Sequence, residues 1–465
     1  MPDPLLLDRS RGQPLFAQIC DLLRARMNDG RLPPGSSLPP TRSLAVELGC
    51  SRATVVTAYE QLAAEGYIQG RQGSGYRVAA SGGVELPSLV ATAKPRQTTP
   101  SRPADPLPLQ PGVPDPRLFP YRQWAQTVAR VARQAPEALV TLDEPFGDRH
   151  LRQAIAQHIA EWRGVTAQPE QILVTAGSGD ALEICIRSLA ERGQSIGLET
   201  PGFAPLRHFV VSLGLTPAWL PVDSGGAALP GPNQQPSLVV LTPTQQFPLG
   251  GPMAPDRRRA FLDWAKVSGG WIVEDDYDSE FRYAGQPIPA LASGAHSQRL
   301  LFVGSFSKVF SSALRLGYLV VPEDLIDRFS ATLERYGTKA SVAPQRALAG
   351  FMESGAFYRH LRRVRRLYGE RRRVLLEALA RELPQVPPPR DHQAGMQVAL
   401  ELPDCPDDRA LAARLATEGL RANPLSSYCA EGQALSGLLL GSTAFTEAEI
   451  EAAVARLARV LAQSG

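Results

Sequence analysis

The sequence predicts two folded parts of different class: a small three-helix unit with a β-hairpin wing, then a large α/β unit with a mostly parallel sheet covered by helices on both faces. Three observations carry this. The chain has 465 residues, about three times an ordinary domain, so two or three folding units are expected. Apolar side chains keep helical spacing between Leu15 and Leu62, whereas from Gln171 onward short β-rich runs alternate with amphipathic helices. Between the two lies a stretch rich in Pro, Thr, Ser and Ala, with too few large apolar groups to fold, which reads as a semi-extended linker. The resulting boundaries are 11–79, 80–107 and 108–465.

In the small unit, Leu15, Ile19, Leu22, Leu23 and Met27 share one face of a first helix that Gly30 ends. A second helix runs from Thr41 to Gly49 with Leu44 and Leu48 inward. The third starts at Ser51, a good N-cap, and buries Val55, Tyr59 and Leu62 at i, i+4 and i+7. Only Gly49 and Cys50 separate the second helix from the third, the tight junction of a helix-turn-helix, which offers the start of the third helix to a groove of duplex DNA. Arg52 can then reach a guanine edge or a phosphate, Thr54 a phosphate, and Arg42 the backbone. Segments 67–69 and 76–78 flank a Gly-rich turn and form the wing. Its G-x-x-G-x-G spacing is no dinucleotide fingerprint, because a strand follows where a helix would be needed. Helix spacing alone also fits an ordinary three-helix packing domain with solvated arginines. The ordered stretch PGSSLPPTRSLAVELGCSRATVVTAYEQLAAEGYIQGRQGSGYRV resembles the winged helix of the GntR family of bacterial transcription regulators. The resemblance implies binding to a double-stranded DNA operator, with Arg42, Ser51, Arg52, Thr54 and Gly75 as the contact residues.

The large unit reads as strand 171–175, helix 180–191, strand 195–199, a helix after Pro201, strand 237–242, helix 256–267, strand 271–274 and strand 300–304. In such a sheet the functional loops gather at the C-terminal ends of the strands. Only four lysines occur, and Lys308 alone stands at such an end, in Gly304-Ser305-Phe306-Ser307-Lys308. Lys94 lies in the linker, Lys266 closes an amphipathic helix, and Lys339 has no strand before it. An amine placed there can form a Schiff base with an aldehyde cofactor such as pyridoxal phosphate, although a lone lysine is more often a solvated surface group. Three companions accompany it. Asp275 and Tyr277 end another strand, where a carboxylate can keep a pyridinium nitrogen protonated. Gly177-Ser178-Gly179 opens a helix whose free N–H groups can hold a phosphate, and Arg315 adds a guanidinium.

The stretches ILVTAGSGDALEI, ETPGF, VEDDYDSEFRY and GSFSKVFSSALRLGYLV resemble the fold type I aminotransferases. That resemblance implies a small C-terminal α+β part and pyridoxal 5′-phosphate as cofactor. It gives the internal aldimine to Lys308, the ring nitrogen to Asp275, the ring hydroxyl to Tyr277, the ring face to Phe203, and the phosphate to Gly177, Ser178, Gly179, Ser305 and Arg315. A winged helix joined through a Pro-rich linker to such a domain resembles the MocR subfamily of the GntR regulators. In that subfamily the large domain mostly senses an amine, an amino acid or the vitamer itself, and the proteins are head-to-tail homodimers. Two departures bear on activity. Phe247 replaces the asparagine that enzymes place beside the ring hydroxyl, and strand 437–441 lacks the arginine that grips a substrate carboxylate. The lost charge-assisted bond is worth ~1.5–3 kcal/mol, so efficient transamination is not expected. The alternatives are an active aminotransferase with an appended DNA-binding unit, or a cofactor-free α/β unit that only dimerises.

Composition narrows the remaining classes. Hydrophobic residues at 43% and charged residues at 20% exclude a mainly disordered or fibrous chain, and a net charge of +3 excludes a chain coated in positive charge. Eight arginines between Arg359 and Arg373, with one glutamate, form a basic helix, either a solvated face or a second DNA track. The five cysteines are scattered without a C-x-x-C pair, so no disulfide framework and no metal site are expected. Residues 5–7 are too short an apolar run for a signal peptide and no stretch reaches a membrane span, so the expected location is the cytoplasm, away from any membrane.

Overall fold

The computed structural model describes residues 7–10, 12–71, 75–80, 106–141, 144–293, 299–433 and 435–463. They fall into two compact units, Met1–Pro103 and Ala104–Gly465. Residues 81–105 of the expected linker lie outside the described residues, as do residues 72–74 of the wing turn.

In the first unit, helices α1 (Leu15–Asn28), α2 (Thr41–Glu47) and α3 (Arg52–Ala64) precede a hairpin of β1 (Ile68–Arg71) and β2 (Gly75–Val78). Ile19, Leu23, Leu44, Val55, Tyr59 and Leu62 bury together, which is why the three helices pack at all. The turn between α2 and α3 is longer than expected, because α2 ends at Glu47 with Leu48 as its C-cap, and Gly49 then turns the chain at φ +59°. Leu22 and Met27 are only half-buried, and Gln18 and Cys20 take the inner face of α1 instead. Gln18 can be buried because its amide donates to the Asp8 and Gln13 carbonyls. Residues 35–38 also pair along β2, with Leu38 N–H donating to the Tyr76 carbonyl at 2.8 Å, so the wing is broader than a hairpin.

The second unit opens with α4 (Tyr121–Gln134) and α5 (Arg149–Arg163). The sheet region then runs β3 (Ile172–Thr175), α6 (Ser178–Leu189), β4 (Ser195–Thr200), α7 (Ala204–Ser212), β5 (Thr216–Asp223), β6 (Gly226–Ala227), β7 (Leu238–Leu241), α8 (Pro255–Ser268), β8 (Trp271–Asp276), β9 (Leu300–Ser305), α9 (Phe306–Val309) and β10 (Gly317–Val320). Helices α10 (Ile326–Tyr336), α11 (Gln345–Glu353) and α12 (Ala356–Glu382) lead to β11 (Gln397–Glu401), α13 (Asp408–Thr417), β12 (Asn423–Pro424), β13 (Gly437–Gly441) and α14 (Glu447–Ala462).

The main sheet has the order β3-β10-β9-β8-β7-β4-β5-β6. Neighbours from β9 to β5 are parallel, while β10 is antiparallel to both β3 and β9. The eleven residues from Phe306 to Leu316 are too few for a crossover helix, so the chain turns straight back beside β9. Leu301, Val303 and Leu319 point to the face covered by α6 and α10, and Phe302, Tyr318 and Val320 to the face covered by α5 and α11. A smaller antiparallel sheet, β11-β13-β12, packs with α12 and α14 around its own apolar cluster.

A stretch from Pro108 to Asp115 ties these two halves. The Pro108 and Leu109 carbonyls accept from Arg421 N–H and Gly441 N–H, and the Val113 carbonyl accepts from the Thr443 hydroxyl, all on the small half. The Gly112 carbonyl, at φ +67°, accepts instead from the Lys308 amine on the main sheet.

Candidate functional site

Lys308 is delivered by the end of β9 and the single turn α9, whose N-cap Ser305 accepts from Ser307 N–H at 3.2 Å. The amine is largely buried, and burial lowers its pKa against the opposing pull of Asp278. A lysine held this way is neutral, hence nucleophilic, for more of the time than a solvated one.

Asp275 arrives from the neighbouring strand β8, where the pleat sends alternate side chains to opposite faces. Glu274 accepts from the N–H groups of Leu291 and Ala292, at 2.9 Å each, and Asp276 pairs with Arg163 at 2.6 Å. Asp275 points the other way, into a narrow cavity that it shares with Phe203, Glu199, Thr242 and Tyr428. Its Oδ1 is buried without a hydrogen-bonding partner, and burial, with Asp276 and Glu199 nearby, pushes its pKa to about 7. Glu199 accepts from the N–H and hydroxyl of Thr242 and is itself pushed to about 7 by burial.

The aromatic residues meet around Phe247. Its ring stands edge-on to Phe203 at 6.1 Å, to Tyr277 at 5.7 Å and to Tyr428 at 5.2 Å. Phe203 keeps 42% of its surface exposed, while the Tyr277 phenol is held well above its usual pKa by burial and by Asp278 and Asp275, so it stays protonated.

Gly177 caps α6 with φ +95° and no side-chain cap, which leaves the N–H groups of the first helical turn open. On β10, Gly317 pairs with Thr175 of β3 and Ser305 of β9, so the start of α6 and the end of β9 lie on either side of it. A Cβ on Gly317 would come within 2.8 Å of the Gly177 backbone. Ser178 is half-buried and Gly179 exposed. Arg315 is exposed in left-handed geometry, φ +51°, with no ion pair among the described residues. The structure therefore gathers Lys308, Asp275, Tyr277, Phe203, Gly177, Ser178 and Ser305 at the C-terminal ends of β3, β4, β8 and β9, and leaves Arg315 and Gly179 at the rim.

Sequence reasoning missed Asp278, Gly112, Glu199 and Tyr428. Asp278 was visible in the run Glu274-Asp275-Asp276-Tyr277-Asp278, but only the fold shows that it faces Lys308. Gly112 and Tyr428 carried no signal, since they approach from distant segments.

In the first unit Arg42, Arg52 and Gly75 are exposed. Ser51 and Thr54 are occupied with each other: the Ser51 hydroxyl caps α3 by accepting from Thr54 N–H at 3.1 Å and lies 2.8 Å from the Thr54 hydroxyl. Arg52 Nε donates to the Thr41 hydroxyl at 3.4 Å, which leaves its terminal nitrogens open.

Comparison with known proteins places both units. Residues 115–457 match the family "Aminotransferase class I and II", and residues 15–78 match "Bacterial regulatory proteins, gntR family". The chain is 36% identical to the probable rhizopine catabolism regulatory protein MocR of Rhizobium meliloti, over 94% of this chain and 92% of that one. It is 34% identical to the pyridoxine biosynthesis transcriptional regulator PdxR of Corynebacterium glutamicum, over 94% of each. Among solved structures, the α-aminoadipate aminotransferase LysN of Thermus thermophilus superposes with a TM-score of 0.70 at 28% identity, over 77% of this chain and 92% of that one. An archaeal alanine:glyoxylate aminotransferase, at 24% identity over 77% and 91% of the two chains, shares the fold with a TM-score of 0.72. No helix among the described residues is long and apolar enough to cross a membrane. With an amino-terminal gntR-type helix-turn-helix and an aminotransferase class I and II domain of fold type I, matched along nearly its whole length by MocR, the chain belongs to the MocR-type transcriptional regulators of the GntR family.

Proposed function

We propose that this regulator binds a double-stranded DNA operator through α2, α3 and the wing, and that its large unit holds pyridoxal 5′-phosphate to sense a small amine, an amino acid or the vitamer itself. The observation that carries the reading is the pairing, at adjacent strand ends, of a buried low-pKa lysine with a buried carboxylate whose Oδ1 has no partner. An uncompensated carboxylate of this kind is costly unless a cation or a protonated ring nitrogen is to meet it. The donor set fits the cofactor, which when bound supplies an electrophilic aldehyde carbon beside an electron-withdrawing ring.

Lys308 would hold it covalently and Asp275 would accept from the ring nitrogen. The protonated Tyr277 phenol would donate to the ring oxygen, and the exposed face of Phe203 would cover the ring. The open N–H groups of Ser178 and Gly179, after the Gly177 turn, with the Ser305 hydroxyl and the Arg315 guanidinium, would take the phosphate. Phe247 fills the place beside Tyr277 with apolar surface, so it would offer the ring oxygen no second donor beside the Tyr277 phenol.

On DNA, Arg52 and Arg42 would supply phosphate or guanine contacts, Ser51 and Thr54 the start of α3, and Gly75 a close backbone approach of the wing. Two copies in a head-to-tail homodimer would present two such readers, as paired half-sites require. Pyridoxal phosphate loading followed by borohydride reduction and peptide mapping should label the Lys308 peptide. A label on another residue, or none, overturns the cofactor assignment. Mobility-shift assays on the protein's own upstream DNA, with and without the cofactor and candidate amines, should show that they change its affinity; unchanged affinity under all of them overturns the sensing role.

A further inference from the structure

The side of β8 to which Asp276 points holds a second cavity of about 280 Å³, with no lining residue in common with the one containing Asp275 and Phe203. It is roomy enough for a ligand of about ten non-hydrogen atoms. Arg163, 5% exposed, forms its floor and is spent internally: its guanidinium donates to Asp276, to the Ile288 carbonyl and to the Thr244 hydroxyl. Arg365 is not. Its Nε donates to the Arg282 carbonyl at 2.6 Å, which fixes the guanidinium plane, while among the described residues its two terminal nitrogens have no partner. A fixed guanidinium with both terminal nitrogens open is the fork that a carboxylate takes in bidentate fashion. Gln245 also lines the cavity, is only 7% exposed, and has no hydrogen-bonding partner for its carboxamide among the described residues.

Opposite charge is present too. The Glu280 side chain is 9% exposed, and its nearest basic neighbour is His158 Nε2 at 3.5 Å, beyond strong hydrogen-bonding reach. Glu161 stands at the mouth. A simple anion would be repelled by these two carboxylates, and a simple cation by Arg282 and Arg365. A neutral ligand carrying both charges satisfies both pairs.

We propose that this cavity is a second ligand site, which takes the zwitterion of a small α-amino acid with its carboxylate on Arg365 and Gln245 and its ammonium group on Glu280. The assignment does not rest on Lys308 carrying a cofactor. It has a route to the other site, because Gln245 lies two residues before Phe247 in one loop and Arg163 holds Asp276, the neighbour of Asp275.

Isothermal titration of the full chain with L-alanine and L-glutamine tests it. Binding is expected with a Kd of about 1 mM or tighter, the range open to two charge-assisted contacts on a small ligand. The Lys308→Ala chain, which lacks the amine of the first site, should still bind both amino acids, and the heat that remains belongs to the second cavity. Arg365→Ala and Glu280→Gln should each weaken binding by about tenfold or more. Because a variant could misfold, the ligand is altered as well: L-alanine methyl ester and propanoate, each lacking one charge, should bind the unaltered chain about tenfold more weakly or worse. Binding that vanishes in Lys308→Ala, survives Arg365→Ala and Glu280→Gln undiminished, or is matched by propanoate overturns the proposal. So does the absence of binding heat for both amino acids at about ten times that concentration.

Discussion

Asp278 carries a buried Oδ1 without a partner, and burial, reinforced by Asp276, pushes its pKa to about 8 although Lys308 pulls the other way. Asp275, Glu199 and Glu274 are pushed the same way, to about 7. An unfolded aspartate titrates near 3.9, so from about pH 4 to about pH 8 these four carboxyls hold more protons in the folded chain than in the unfolded one, outnumbering His360, which burial shifts the other way to about 4. Stability must therefore fall as pH rises through that window and level off above it. Urea midpoints of the cofactor-free chain should decrease between about pH 5 and about pH 8, and Asp278→Asn should lessen the decrease; equal slopes in variant and parent would refute this. Asp275→Asn tests the other carboxylate. It removes a charge-assisted bond worth ~1.5–3 kcal/mol, so pyridoxal phosphate should bind about ten- to a hundredfold more weakly by equilibrium dialysis. Lys308, Asp275 and Tyr277 were legible because each ends a strand that the sequence pattern reveals. Asp278 was not, because its importance comes from the amine it faces 30 residues on, across the fold.

Among the elements, α12 shows what periodicity can and cannot reveal. Its 27 residues follow the apolar spacing of Leu361, Val364 and Tyr368, but pattern alone does not tell which arginines turn inward. Arg371 donates to Asp115 at 2.9 Å and to the Thr443 carbonyl, and Arg372 pairs with Asp391, whereas Arg362, Arg363, Arg366 and Arg373 are exposed. The deciding partner Asp115 lies 256 residues away, out of reach of any local reading. Arg371→Ala leaves Asp115, whose side chain is 1% exposed, with Arg117 alone, and should cost roughly 3 kcal/mol in chemical denaturation. In the first unit the cap of α3 was plain from Ser51 and its spacing. Ser51→Ala should destabilise that unit by about 1 kcal/mol, read from the thermal transition of its helical signal. The antiparallel course of β10 was not legible, because it follows from the shortness of the connection rather than from the composition of the strand.

Across the whole molecule, the expectation of two units rests on composition, since residues 80–107 are rich in Pro, Thr, Ser and Ala, and the described residues do fall into two compact units. The second cavity could not have been read that way: Glu161, Gln245, Glu280 and Arg365 come from four separated segments. Operator binding gives a prediction at this scale. Arg52→Ala should weaken binding and lower the salt slope by about one, while Arg366→Ala, on the basic helix, should leave the slope unchanged; a reduced slope for Arg366→Ala would revive a second DNA track. The tie at Pro108–Asp115 has a practical consequence for dividing the chain. A fragment cut upstream of Pro108 retains every knot by which that ribbon is laced to both lobes, whereas one cut downstream of Asp115 severs them all. The natural seam for expressing the carboxy-terminal lobes on their own therefore falls before Pro108, and a few residues too many removed there should yield a product that is readily digested by proteases.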